Sequence, residues 1–196
     1  MKKTILLLVL IMLTAILAAG CQSAKDNNDP QNQQSANHQS DNQQSADQKV
    51  TVAGIYLGES TEAVKEKLGE NYTSESMGND WFGEQTSRWN YGENLEVIVG
   101  EETNSVLQIN LYSDAFTAAN GEKTGVTAGK VLPAYLDKYP LAKDHFEGKE
   151  IPGWFVVDEG VWLIFNFKDD DTMVNQEIAD DETVQSIHLV YEKFMH

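Results

Sequence analysis

Carboxylates, imidazoles and indoles are the first candidates for chemistry in this chain, since thiol and guanidinium groups are scarce. There is one cysteine, Cys21, and one arginine, Arg88; 14 Lys+Arg stand against 31 Asp+Glu. All of those acids except Asp26, Asp29, Asp41 and Asp47 fall between Val50 and His196. Two carboxylates suffice to hydrolyse a glycosidic bond, but in so acidic a stretch neighbouring pairs arise by chance. Glu101-Glu102, Asp158-Glu159 and Asp180-Asp181-Glu182 sit at expected turns or strand ends, where a solvated loop is the plainer account. Asp169-Asp170-Asp171 is the densest cluster and the weak candidate for Ca²⁺, a hard cation that takes several oxygens. It lacks the alternating D-x-D-x-D-G order of an EF-hand loop, so no metal is assigned. The histidines are His38, His145, His188 and His196. His188 alternates with Ile187 and Leu189, which points it away from the core side and predicts a solvated strand histidine. No HExxH, GxSxG, CxxC or P-loop pattern occurs. Without a nucleophile or metal beside a base, the expectation is a non-enzyme with no cofactor, a carboxylate-pair hydrolase being the alternative.

Trp81, Trp89, Trp154 and Trp162 are numerous for this length. Trp89, Trp154 and Trp162 lie in apolar, strand-like segments and are expected to fill the core. Trp81-Phe82, flanked by Gly78 and Gly83, falls in a loop-like stretch and is the candidate exposed contact. Arg88 is expected to pair with a nearby carboxylate. The formal charge of −17 repels phosphate backbones, which excludes nucleic acid as a partner.

The elements that position these residues read as a duplicated unit. Gly58, Ser60 and Val64 recur in spacing as Gly125, Thr127 and Val131, and Val106, Ile109 and Leu111 as Val184, Ile187 and Leu189. Ser60 or Thr61 and Thr127 are expected N-caps, Gly69 a helix stop, and Pro133 a kink or the true start of the second helix. Period-two alternation follows at Leu95, Val97 and Val99 and at Leu107, Ile109 and Leu111. Tyr91-Gly92-Glu93-Asn94 and Asp158-Glu159-Gly160 supply hairpin turns. The expected fold is α+β: an antiparallel sheet from two tandem helix-plus-three-strand repeats, about 54–113 and 122–192, with the helices on one face.

Ahead of this single domain, 50–196, come two further segments. Residues 1–20 carry Lys2 and Lys3, then an apolar run from Ile5 to Ala19, the anatomy of a secretory leader. At 1.5 Å per residue that run reaches roughly 22 Å, short of a hydrocarbon core of about 30 Å. Leu17-Ala18-Ala19-Gly20-Cys21 resembles the lipobox of bacterial lipoproteins, with Ala18 standing where leucine is usual. The resemblance implies cleavage after Gly20, a diacylglyceryl group on the Cys21 sulfur and acylation of the new amino terminus. Two or more acyl chains make such anchoring stable. Residues 21–49 are rich in Gln, Asn, Ser and Asp and lack aromatic and β-branched residues, so they read as a disordered tether. As a flexible coil the tether spans roughly 30 Å. Placement at the membrane by the lipid, on the extracytoplasmic side, follows.

Gly54-Ile55-Tyr56-Leu57-Gly58-Glu59-Ser60, then Val64, Leu68-Gly69 and Trp89-Asn90-Tyr91-Gly92, resemble the YjgB-like family of lipoproteins from Bacillus and relatives. The glycine-helix-glycine opening is also similar to small BamE-type assembly lipoproteins and to the β-lactamase inhibitor protein, itself a tandem repeat of helix and sheet. These resemblances imply a Gram-positive cell surface and a fold used to bind proteins. They carry over no catalytic residue. The functional expectation is a surface-anchored binding module meeting an envelope protein or glycan, with an envelope glycan hydrolase as the alternative.

Overall fold

The computed structural model describes residues 49–79, 81–168 and 172–195. The leader, Cys21, the tether before Lys49, and the cluster Asp169, Asp170 and Asp171 lie outside the described residues. Helix α1 (Thr61–Leu68) begins where the Ser60 hydroxyl accepts from the Ala63 amide at 3.2 Å. It ends at Gly69, whose φ of 83° is open to glycine and strained for other residues. Strands β1 (Thr73–Gly78), β2 (Thr86–Tyr91), β3 (Leu95–Gly100) and β4 (Ser105–Leu111) follow. Helix α2 (Ala128–Leu136) contains Pro133 and leads into β5 (Leu141–Lys143), β6 (Glu150–Asp158), β7 (Val161–Asn166) and β8 (Ser186–Tyr191). Among the described residues eight strands form one antiparallel sheet in the order β1-β2-β3-β4-β8-β7-β6-β5, so the fold is α+β and mostly sheet. Among the described residues no helix is long and apolar enough to cross a membrane.

Each helix is followed by four strands, which corrects the expected three. The additional strands are the sheet edges. All but the last residue of β1 are exposed, so it carries no apolar alternation, and β5 is three residues long. Both are held by backbone pairing to a neighbour, which leaves little trace in residue type.

The Thr127 side chain makes no cap bond, contrary to expectation. The first amides of α2 donate instead to main-chain carbonyls, Ala128 to Glu182 at 2.8 Å and Gly129 to Asp180 at 3.0 Å. The loop after β7 thus returns to satisfy the helix start, which must otherwise find partners in side chains or water. At α1 the Thr61 amide likewise donates to Asn104 O at 3.1 Å. Further bonds match position by position. Gly58 N–H donates to Val106 O at 2.8 Å and Gly125 N–H to Val184 O at 2.7 Å; Val106 N–H donates to Glu59 O and Val184 N–H to Val126 O, each at 2.9 Å.

Register aligns apolar residues across the sheet. Trp89, Val97, Ile109, Leu189, Leu163 and Phe155 are successive cross-strand partners from β2 to β6. This row belongs to the main core, together with Val64 of α1 and Val131 and Tyr135 of α2. Tyr135 is 1% exposed and meets Phe165 edge-on at 4.8 Å between ring centres. Such a ring pair contributes about 1 kcal/mol beyond the area it buries. Its phenol donates at 3.0 Å to Ala119 O or to the Glu122 carboxylate, so the buried hydroxyl is satisfied. A second cluster, Ala142, Trp154, Trp162, Ile164 and Val190, packs separately, with Met173 and Met195 partly buried against it. Both faces of the β6-β7-β8 region are therefore apolar and covered.

Candidate binding surface

Two cross-strand rows build the second face. One runs Glu75, Arg88, Ile98, Gln108, Val190, Trp162, Val156; the other runs Asn90, Glu96, Asn110, His188, Ile164, Trp154. The β3-β4-β8 register alone thus sets Glu96, Asn110 and His188 side by side. His188 does face away from the main core, but it is 4% exposed, which corrects the expectation of a solvated histidine. Ile164 lies opposite it, Tyr112 meets it edge-on at 6.0 Å, and Ser186 and Asn110 flank it.

Hydrogen-bond logic fixes the protons of this relay. The Glu96 carboxylate only accepts, so Asn110 Nδ2 donates to Glu96 Oε1 at 2.6 Å. Asn110 Oδ1 therefore faces His188 Nδ1 at 2.8 Å and also accepts from Gln108 Nε2 at 2.8 Å. Nδ1 must carry the hydrogen, which leaves Nε2 as an acceptor for the Ser186 hydroxyl at 2.7 Å. Burial holds the imidazole pKa down at about 4, so it is neutral near pH 7.

A hydroxyl donating to an imidazole that donates to a side-chain oxygen is also the arrangement of a serine nucleophile. Three features prevent that chemistry here. Ser186, His188 and Asn110 are 5%, 4% and 3% exposed. Asn110 is neutral and offers an imidazolium no carboxylate. Ser186 lies within the ladder opposite Asn166, so the nearby amides serve the sheet and not an oxyanion. The relay is a buried structural network that joins β3, β4 and β8.

Beside it lies an open hollow of about 370 Å³ lined by Met77, Trp81, Phe82, Arg88, Glu96, Ile98, Gln108, Met173 and Met195. Trp81, expected as an exposed contact, is 58% exposed; Phe82 is half-buried and meets Phe194 edge-on at 4.8 Å. Every methionine of residues 50–196 lines this one hollow. Arg88 sits between two acids, its Nε 2.9 Å from Glu96 Oε2 and Nη1 3.6 Å from Glu75 Oε2. The nearer contact is an ion pair whose alignment falls short of a hydrogen bond. Met173 holds a left-handed φ of 55°, and the Trp154 indole N–H donates to its carbonyl at 2.8 Å. Asn175 pins the same loop, donating to Pro152 O and Phe165 O and accepting from the Phe167 amide. Met173 is thus a strained residue held in place beside the hollow.

A second hollow of about 600 Å³ is lined by His145, Phe146, Glu159, Gly160, Tyr191, Glu192 and Lys193. The turn Tyr191–Met195 serves both hollows, since Phe194 also meets Tyr191 at 6.0 Å. Phe146 is 88% exposed, and His145 stacks on Trp162 at 5.7 Å. Trp89, Trp154 and Trp162 are buried, as expected of core residues. Glu101, Glu102, Asp158, Glu159, Asp180 and Asp181 are exposed, with Glu182 half-buried. Among the described residues no cluster of three or more His, Cys, Asp or Glu is placed to hold a metal ion. Neither hollow was legible in the sequence, because the lining comes from positions as distant as 77, 173 and 195. No family model, no curated protein and no solved structure matches this chain.

Proposed function

We propose that this chain is a lipid-anchored, extracytoplasmic binding module that meets an envelope protein or glycan without catalysing a reaction. The observation that carries this is the pair of apolar hollows, bordered by Trp81 and Phe146, beside a Glu96–Asn110–His188–Ser186 relay whose hydrogen bonds are made internally. Exposed aromatic area of this kind is what partners bury. Anchoring rests on the lipobox-like residues ending in Cys21, and the envelope setting on the resemblance to YjgB-like lipoproteins. We further propose that the domain is a duplicated helix-and-sheet unit with both helices on one face. The matched Gly58–Val106 and Gly125–Val184 bonds and the mirrored strand order support duplication, and the shared core of Val64, Val131 and Tyr135 supports the placement.

The larger hollow also holds two carboxylates, Glu159 and Glu192, which favours the hydrolase as a second reading. Against it, Glu159 is exposed and Glu192 only half-buried, so neither carboxyl is enclosed as a catalytic pair in a cleft would be. Site-specific photo-crosslinking on intact cells tests the binding reading. Adducts should form from Trp81 and Phe146 and be absent from an exposed control such as Lys130. Equal yields at all three sites refute the surface assignment. Mass spectrometry of the processed chain should find diacylglyceryl on Cys21, and a free thiol there would refute the anchor.

A further inference from the structure

Resting on the binding-module reading, we infer that the paired hollows take a cationic amphipathic polypeptide segment. Its apolar side chains enter the hollows, and its lysines or arginines meet the carboxylates and ring faces at their borders. At about 370 and 600 Å³ the two spaces suit large side chains and not a small ion. The thioethers of Met77, Met173 and Met195 are flexible and polarisable, a lining that adapts to varied apolar shapes.

Charge selects among occupants. The chain carries −17, and the larger hollow presents Glu159 and Glu192, whereas Glu96 beside the smaller one is already held by Arg88 and Asn110. The neighbouring cations are already engaged. Arg88 lies between Glu75 and Glu96, and the Lys193 ammonium lies 4.7 Å from the Phe194 ring centre and 5.3 Å from that of Tyr191. Lys193 shows that these ring faces hold an ammonium, the interaction an incoming basic segment would repeat. A second copy of the chain brings the same negative charge, and a polyanionic glycan brings more; both meet repulsion at this face.

The test uses the full chain in phosphatidylcholine nanodiscs and a fluorescent Lys/Leu amphipathic peptide of about 18 residues, roughly 27 Å as a helix. A Glu/Leu peptide of the same pattern is the counterpart. By anisotropy the Lys/Leu peptide should bind at least about tenfold more tightly, with the advantage shrinking from about 0.05 M to about 0.5 M salt. Trp81→Ala with Phe146→Ala should weaken binding by about tenfold or more, measured below the double variant's own melting temperature so that the folded state is compared. Comparable binding of the Glu/Leu peptide, or undiminished binding by the double variant, overturns the inference. So does a dimer in sedimentation that the peptide fails to dissociate. Photo-crosslinking from position 81 separates the two levels. A glycan or acidic segment captured there retains the binding module and overturns its cationic partner, whereas no adduct dependent on that position overturns both.

Discussion

His188 is neutral in the fold because burial holds its pKa at about 4, against 6.5 for a free imidazole. The unfolded chain binds a proton at this residue below pH 6.5 and the folded chain does not, so the unfolded state gains as pH falls. The stabilisation is fully present above pH 6.5 and lost as pH falls through about 4, and the gap corresponds to about 3 kcal/mol. At about pH 4.5 most of it should be gone, a sizeable part of the 5–15 kcal/mol typical of a domain. Other groups titrate in the same window, so the perturbation has to be differential. Urea unfolding of the parent and of His188→Gln should be compared at about pH 7.5 and about pH 4.5. The variant loses the ring contact with Tyr112 and the Ser186 and Asn110 bonds, and is less stable by about 2 kcal/mol at the higher pH. Its further loss on acidification should be smaller than the parent's by about 2–3 kcal/mol, on the order of 1 M urea at an ordinary slope. Parallel losses in the two proteins would refute the buried-neutral assignment, as would a titration of His188 by NMR near 6.5.

Gly153→Ala should destabilise by about 3 kcal/mol in urea unfolding, because its φ is +80° and a Cβ would sit 2.7 Å from Asn175 Nδ2 and 2.8 Å from Phe165 O. Asn175→Ala should cost about 2–3 kcal/mol and speed hydrogen exchange at the Phe167 amide, which loses its acceptor. The carboxylate of Glu59, 4% exposed, pairs with Lys67 and accepts from the Tyr56 amide at 3.1 Å. Lys67→Met should lower stability by about 2 kcal/mol, and Lys67→Met with Glu59→Gln should recover part of it, as thermal unfolding will show. No recovery in the double variant would mean that the pair is not the cause.

Residue pattern revealed what residue pattern encodes. Alternation at Leu95–Val99 and Leu107–Leu111 located β3 and β4, and the hydroxyl and glycine at Ser60 and Gly69 bounded α1. Strand β1, Thr-Ser-Glu-Ser-Met-Gly, buries almost nothing and so leaves no period to read. His188 was misjudged because alternation tells which face a side chain takes, and not whether that face is itself covered. The Glu96–Asn110–His188 relay and the methionine hollow depend on register and on loop return. Neither property can be read from residues 78 positions apart, as Asn110 and His188 are.

The strand order places the last segment of the sheet at its centre. Strand β8 borders β4 on one side and β7 on the other, and among the described residues no other strand bridges the two groups of neighbours. A chain lengthening from its front end therefore holds a four-stranded piece and a three-stranded piece with no shared edge until Ser186–Tyr191 arrives. Non-local closure of this kind is slow and comes late. The sheet therefore cannot be completed from either group of strands alone, and its two halves become one hydrogen-bonded surface only when Ser186–Tyr191 inserts between them.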